Sequence, residues 1–252
     1  MIEIQGLTKR YGSKLAVDRI SFSVGKGEIV GFLGPNGAGK STTMNIITGY
    51  LSATEGRVVI DGHEILEEPT EAKKCIGYLP EQPPLYQDMT VWEYLNFIYE
   101  LKKAKTASRT KHLETVCGMV KIGHVKDRLI SNLSKGYKQR VGIAQALIGN
   151  PEVLILDEPT VGLDPNQIIE IRSLIKSLSR SHTVILSTHI LSEVQSVCDR
   201  VIIINQGVIV ADDTERNLSE KLSKDKRYTL RVKAPQTDAL TALSRLERVD
   251  SC

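Results

Sequence analysis

The sequence predicts an α/β fold: a mostly parallel sheet with flanking helices, joined to an antiparallel β subdomain and an inserted helical subdomain. Three observations carry this expectation. Apolar and polar residues alternate with period two near the N-terminus, at Ile2 and Ile4 and again at Ile20, Phe22 and Val24, the pattern of half-buried strands. Between about Thr90 and Gly149 the apolar spacing becomes helical. Beyond residue 150, short apolar runs alternate with helix-forming stretches, which implies parallel strands linked by crossover helices.

Taken in order, the first strands are separated by turns at Tyr11-Gly12-Ser13 and Gly25-Lys26-Gly27. A buried strand follows over 28–33, then a glycine-rich turn and a helix expected from Lys40 to Tyr50. A hairpin is expected around 57–60, closing at Asp61-Gly62. Thr90 is placed to cap a helix whose Val91, Leu95 and Ile98 share one face. Strands at 153–156, 183–187 and 201–205 then alternate with helices from Asn166 and from Leu191. The chain is read as one domain over 1–224, with the helical subdomain near 82–140, and a β/α appendage over 225–252. That appendage holds a strand at 228–232 and a helical stretch at 239–246, and looks cut short.

Composition narrows the function classes. A chain of 252 residues that is 41% hydrophobic is long enough to bury a substantial core. Lys and Arg number 33 against 30 Asp and Glu, a balance that argues against a dedicated nucleic-acid binder. The longest apolar runs, 153–156 and 201–204, fall far short of the ~20 residues of a spanning helix, and the start lacks the pattern of a secretory signal. Cys75, Cys117, Cys198 and Cys252 are scattered, without metal-ligand spacing. They read as reduced thiols of a cytosolic protein.

The chemistry is concentrated in a few segments. Gly34-Pro35-Asn36-Gly37-Ala38-Gly39-Lys40-Ser41 fits G-x-x-x-x-G-K-[ST] and lies between a strand and a helix, as the P-loop of an NTPase core requires. Its glycines let backbone N–H groups point at phosphate oxygens, and the helix behind presents its positive N-terminus. Lys40 is expected on the β/γ-phosphates, Ser41 on Mg²⁺, and Thr42 beside them. A second acidic element should end another strand. Val153-Leu154-Ile155-Leu156 carries Asp157 to a strand end, where it can serve Mg²⁺, and Glu158 follows as a residue able to polarise a water. Without the loop at 34–41, Asp157-Glu158 would read as a solvated strand end.

Leu133-Ser134-Lys135-Gly136-Tyr137-Lys138-Gln139-Arg140 resembles the L-S-G-G-Q signature of ATP-binding-cassette (ABC) ATPases, in the form common among subunits of ABC-2-type exporters. Read by itself, Ser134 is a good helix N-cap. The resemblance implies instead that Ser134 and Gly136 grip the γ-phosphate of ATP held by a partner subunit. It implies further that Tyr11 stacks on adenine with Val17 as the apolar contact beside it. It makes Asp164 of Gly162-Leu163-Asp164-Pro165 the D-loop aspartate, and His189 of Ser187-Thr188-His189 the switch residue that orients Glu158 and water. The Q-loop position falls on Glu81, with Gln82 next to it, and either can fill the role. Lys135 and Tyr137 depart from the signature's usual glycine and glutamine. The resemblance covers about 2–215 and is nearest to gliding-motility-type ABC ATPase subunits.

On this resemblance the chain is the ATP-hydrolysing subunit of an ABC transporter, peripheral on the inner face of the cell membrane. ATP and Mg²⁺ are its expected ligands. A second copy is the expected partner for a head-to-tail homodimer around two ATP molecules. A separate membrane permease, of an exporter, would receive the work through a groove rimmed by Tyr86 and Trp92. No nucleic-acid partner is expected. Two alternatives stay open: a soluble ABC-type ATPase acting in DNA repair or translation, which would usually insert coiled coils or a second cassette, and a non-hydrolysing regulatory clamp.

Overall fold

A computed structural model describes residues 2–214 and, beyond them, residues 217, 233, 235, 237 and 238. The chain divides into two units, Met1–Glu215 and Arg216–Cys252. The strand expected at 228–232 and the helix expected at 239–246 lie outside the described residues.

The N-terminal alternation folds into an antiparallel sheet. Strands β1 (Ile2–Tyr11) and β2 (Lys14–Val24) form a hairpin in which Ile2 pairs with Val24 and Ile4 with Phe22. Because side chains alternate faces, these residues, all buried, share one side of the sheet. β3 (Ile29–Leu33) belongs to the second sheet, whereas β4 (Glu55–Ile60) returns to the first and pairs with the other edge of β1, setting Ile2 opposite Ile60. The two-residue strand β5 (His63–Glu64) completes the order β2-β1-β4-β5. The expected hairpin at Asp61-Gly62 is therefore present.

The second sheet adds β6 (Ile76–Leu79), β7 (Val153–Asp157), β8 (Thr183–Thr188), β9 (Arg200–Asn205) and β10 (Val208–Asp213), in the order β10-β9-β3-β8-β7-β6. All neighbours are parallel except β10, which runs antiparallel to β9 at the edge. Every residue of β7 and β8 is buried, as expected of central parallel strands covered on both faces. Alternate residues feed opposite layers. Leu154, Leu156, Val184 and Leu186 join one apolar cluster, and Val153, Ile155 and Ile185 join the other.

The layer on the first face is helical. Helix α1 (Lys40–Ile47) packs with the antiparallel sheet on the opposite face, and α2 (Pro69–Lys74) leads into β6. Helices α3 (Val91–Leu101), α4 (Arg109–Met119), α5 (Lys135–Leu147) and α6 (Pro165–Leu178) bury their apolar stripes together against β7 and β8. α3 starts at a capping box: Thr90 Oγ1 accepts from Glu93 N at 3.2 Å, and the Glu93 carboxylate accepts from Thr90 N at 2.8 Å. Lys102 closes α5 by donating to the carbonyls of Gln145, Ala146 and Ile148 at 3.0, 3.2 and 3.0 Å. Burial pushes that ammonium down to about 8, while the negative end of the helix holds it in place. The short α7 (Leu191–Val197) joins β8 to β9.

Two expectations change. The helix from Lys40 stops at Ile47 rather than Tyr50, because Gly49 takes a positive φ of 67° and Tyr50 lies 84% exposed. Strands β6 and β10 and helix α2, absent from the sequence reading, complete the sheet and its approach. Among the described residues, no helix is long and apolar enough to cross a membrane.

Candidate functional site

The loop of residues 34–39 leaves β3 and enters α1 with its glycines at the tightest points. Gly37 and Gly39 take φ of 79° and 110°, and a Cβ on Gly39 would sit 2.8 Å from the carbonyl of Ala16. Only glycine combines that backbone with that approach. No side chain caps α1 at Gly39, and no acidic residue stands in its first turn, which leaves the positive helix end suited to an anion. Gly34 and Ala38 are buried at the base of the loop. Lys40, only 6% exposed, donates from Nζ to the carbonyls of Gly34 at 2.8 Å and Pro35 at 3.3 Å.

The loop forms one wall of a cleft of about 970 Å³, which Asn36, Gly37, Gly39, Lys40, Ser41 and Thr42 line. The opposite wall comes from the ends of β7 and β8, which the parallel register brings side by side by pairing Asp157 with Ser187. Asp157 accepts from Ser187 Oγ and is also hydrogen-bonded to Ser41. Burial raises its carboxyl above the ordinary range, against the lowering effect of those two hydroxyls. Glu158 turns out of the strand at a φ of 48°, its N–H donating to Ser187 O at 3.1 Å. Its carboxylate, from a residue only 5% exposed, lies 3.4 Å from Lys40 Nζ and 3.0 Å from His189 Nδ1. Three polar groups from three segments thus converge at one end of the cleft: a cation, a carboxylate and an imidazole.

The remaining expected residues divide. Tyr11 stands at the cleft, 48% exposed, with Lys9 Nζ 5.4 Å from its ring centre. Val17 is fully buried and packs behind the loop near Gly39 and Gly207, while Leu15 and Ala16 border the cleft itself. The hairpin is irregular at this point: Arg10 pairs with Leu15 and Lys9 with Val17, which leaves Ala16 as an extra residue and breaks the plain alternation of β2. Glu81 borders the cleft and Gln82 does not.

Ser134, Gly136 and Asp164 lie apart from the cleft lining, where the N-termini of α5 and α6 meet. Ser134 Oγ accepts from Tyr137 N at 3.4 Å and Asp164 Oδ1 from Gln167 N at 2.9 Å, so each caps a helix. The Gln167 amide packs against Gly136 so closely that a Cβ would meet it at 2.6 Å. Lys135 extends its ammonium over Gly162, and Tyr137 bonds through its hydroxyl to His124 Nε2 at 2.9 Å. The substituted signature positions are therefore engaged with neighbours of the same chain.

Several site residues escaped sequence reasoning. Lys14, Leu15, Ala16, Val161 and Gln206 border the cleft, and Ser187 joins the ends of β7 and β8. Their signal is positional: each lies in or beside a turn, or at a strand end, that the sheet order alone brings to the loop.

The family model for ABC transporters matches residues 17–161. The linearmycin resistance ATP-binding protein LnrL of Bacillus subtilis (strain 168) is 37% identical over 254 residues, spanning 99% of this chain and 81% of that protein. The bacitracin transport ATP-binding protein BcrA of Bacillus licheniformis is 39% identical over 234 residues, spanning 91% and 75%. Among solved structures, the ATP-binding subunit of an ABC transporter superposes with a TM-score of 0.80 at 28% identity, over 88% of this chain and 93% of that one. A dimeric ATP-binding cassette in a post-hydrolysis state, bound to ADP and Pi, superposes with a TM-score of 0.76 at 28% identity, over 85% and 98%. Loop, acidic strand end and family match agree, and the chain belongs to the ABC transporter family as an ATP-binding, ATP-hydrolysing subunit.

Proposed function

We propose that two copies of this chain close head to tail around two ATP molecules and that hydrolysis reopens them, driving a separate membrane permease that exports its substrate. The observation that carries this reading is the separation of the two anion-binding elements. One chain provides the loop cleft, while its own Ser134 and Gly136 stand outside that cleft. A second copy supplies the missing wall. Closure does work because ATP binds the closed pair better than the open one.

Within each site, the loop N–H groups and Lys40 bind the phosphates, and Tyr11 stacks on the base. Glu158 accepts a proton from the attacking water, held in place by His189, while Glu81 faces the same space. Asp164 reaches toward the partner. The donor set suits Mg²⁺: the Ser41 hydroxyl and the buried Asp157 carboxylate are hard oxygen ligands bonded to one another. Bound there, the ion would neutralise charge on the β- and γ-phosphate oxygens. The permease would seat against the helical region, where Tyr86 is 50% and Leu129 41% exposed beside the partly buried Trp92. Relatives named for linearmycin resistance and bacitracin transport support export.

The test is Glu158→Gln in the full chain. ATP should then trap a stable dimer, seen by light scattering, while phosphate release falls sharply. A variant that stays monomeric with ATP, or that turns over like the parent, overturns the assignment.

A further inference from the structure

Beyond the ends of β7 and β8 the backbone pairing continues only as the bond from Glu158 N to Ser187 O at 3.1 Å among the described residues, yet Glu158 and His189 must meet there. The paired part of the register ends at Asp157 and Ser187. The segments then diverge, one toward Thr160 and α6, the other toward Ile190 and α7. Farther out, the side chain of Glu193 spans the gap. Glu193, in the first turn of α7 and only 1% exposed, accepts from the Thr160 hydroxyl with one carboxylate oxygen and from the Thr188 hydroxyl at 2.7 Å with the other. Thr188 Oγ1 in turn accepts from Ile190 N at 3.1 Å, so the residues on both sides of His189 are tied to the same carboxylate. Arg172, on α6, places Nη2 3.8 Å from Glu193 Oε1. Both threonines are themselves buried.

A carboxylate this deeply buried is costly unless fully bonded. An apolar residue would fill the space without that cost, but could not join two hydroxyls from two different segments. We propose that Glu193 is a positioning residue for the hydrolytic step: it locks the segment after Glu158 to the switch segment and so sets the 3.0 Å approach of His189 to the Glu158 carboxylate. The proposal rests on the roles given above to Glu158 and His189. It adds that their geometry is made by a residue that touches neither nucleotide nor water. Because Thr160 also begins the turn that leads to Asp164, the same carboxylate links the D-loop to the switch within one subunit.

The experiment uses the full chain with Glu193→Ala, Glu193→Gln and Thr160→Val. A small misplacement of catalytic groups costs up to about 10²-fold in rate, so Glu193→Ala should lower kcat on that order. The KM for ATP should stay within about twofold, because no phosphate-binding group has moved. Glu193→Gln, with the same shape and one acceptor kept, should recover part of the loss. Adding Glu193→Ala to Glu158→Gln should cost almost nothing further, since groups acting as a unit are not additive. The ring resonances of His189 in the NMR spectrum should shift with Glu193→Ala, as they should with Glu158→Gln. Should Glu193→Ala not fold, Thr160→Val removes one arm only and should show a smaller loss in the same sense. Unchanged kcat, a KM that rises as kcat falls, a fully additive double variant, or unmoved His189 resonances each overturn the proposal. If Glu158→Gln itself turns over normally, the role of Glu158 is lost, and the His189 resonances in Glu193→Ala decide the positioning claim by themselves.

Discussion

The loop cleft and the signature cluster are built by opposite means. In the cleft, Lys40, Asp157 and Glu158 are nearly buried and bonded to one another's segments. At the signature, Ser134 and Asp164 are exposed and cap their own helices. The first is a completed half-site whose groups are held ready. The second is an exposed surface which, on the proposed head-to-tail pairing, would meet the partner's nucleotide. The difference follows from topology: β3, β7 and β8 are adjacent and parallel, so their C-terminal ends converge, whereas α5 begins on a separate helical layer.

The largest effect should come from the buried side. Replacing Glu158 by Gln removes the proton acceptor and should slow phosphate release by about 10²- to 10⁴-fold, with nucleotide binding kept. Lys40→Ala should instead fail earlier, losing affinity in equilibrium binding with a fluorescent nucleotide.

The exposed side should break differently. Ser134→Arg should abolish turnover yet leave binding to one chain unchanged. Mixing it with Lys40→Ala should restore activity, because one composite site of the mixed dimer keeps both intact elements. If the mixture stays inactive while the mixed dimer forms, the division of labour between the two regions is wrong.

A third contrast separates stability from chemistry. Burial raises the Asp157 carboxyl above its unfolded value of 3.8, so the folded state holds that proton more tightly. Stability is therefore lost as pH rises through the interval between the two values. Asp157→Asn should give a higher Tm than the parent at pH 7 and a difference that shrinks toward pH 4, while Mg²⁺-dependent turnover disappears. A lower Tm at pH 7 would mean that the Ser41 and Ser187 hydrogen bonds outweigh burial.

The smallest effect belongs to the rim. Tyr11→Ala should weaken ATP by about 1–3 kcal/mol, the range for a base stacked on an aromatic ring, with kcat nearly unchanged at saturation. Tyr11→Phe should bind like the parent.

How much of this was legible depended on whether the signal is local. β3, β7, β8 and β9 were readable because continuous apolar runs bounded by turns mark covered strands. β6 was not: it is four residues long with Gly77 inside it, and its place follows from pairing with β7. β10 ends in Asp212 and Asp213 and is a strand only because β9 offers it an edge. Val17 was matched by resemblance, whereas Leu15 and Ala16 border the cleft at a point where the β1–β2 pairing shifts register, which no local pattern announces.

The sequence by itself determined the phosphate loop, the acidic strand end and the helix caps, because each depends on residues within a few positions of one another and on backbone rules that act at that range. Only the tertiary structure decided which groups meet. The approach of Lys40 and His189 to Glu158, the choice of Glu81 over Gln82 as cleft lining, and the Glu193 tie between two strand ends all join segments far apart in the chain. Such meetings are set by sheet order and register, which arise when the two apolar layers close on either side of β7 and β8.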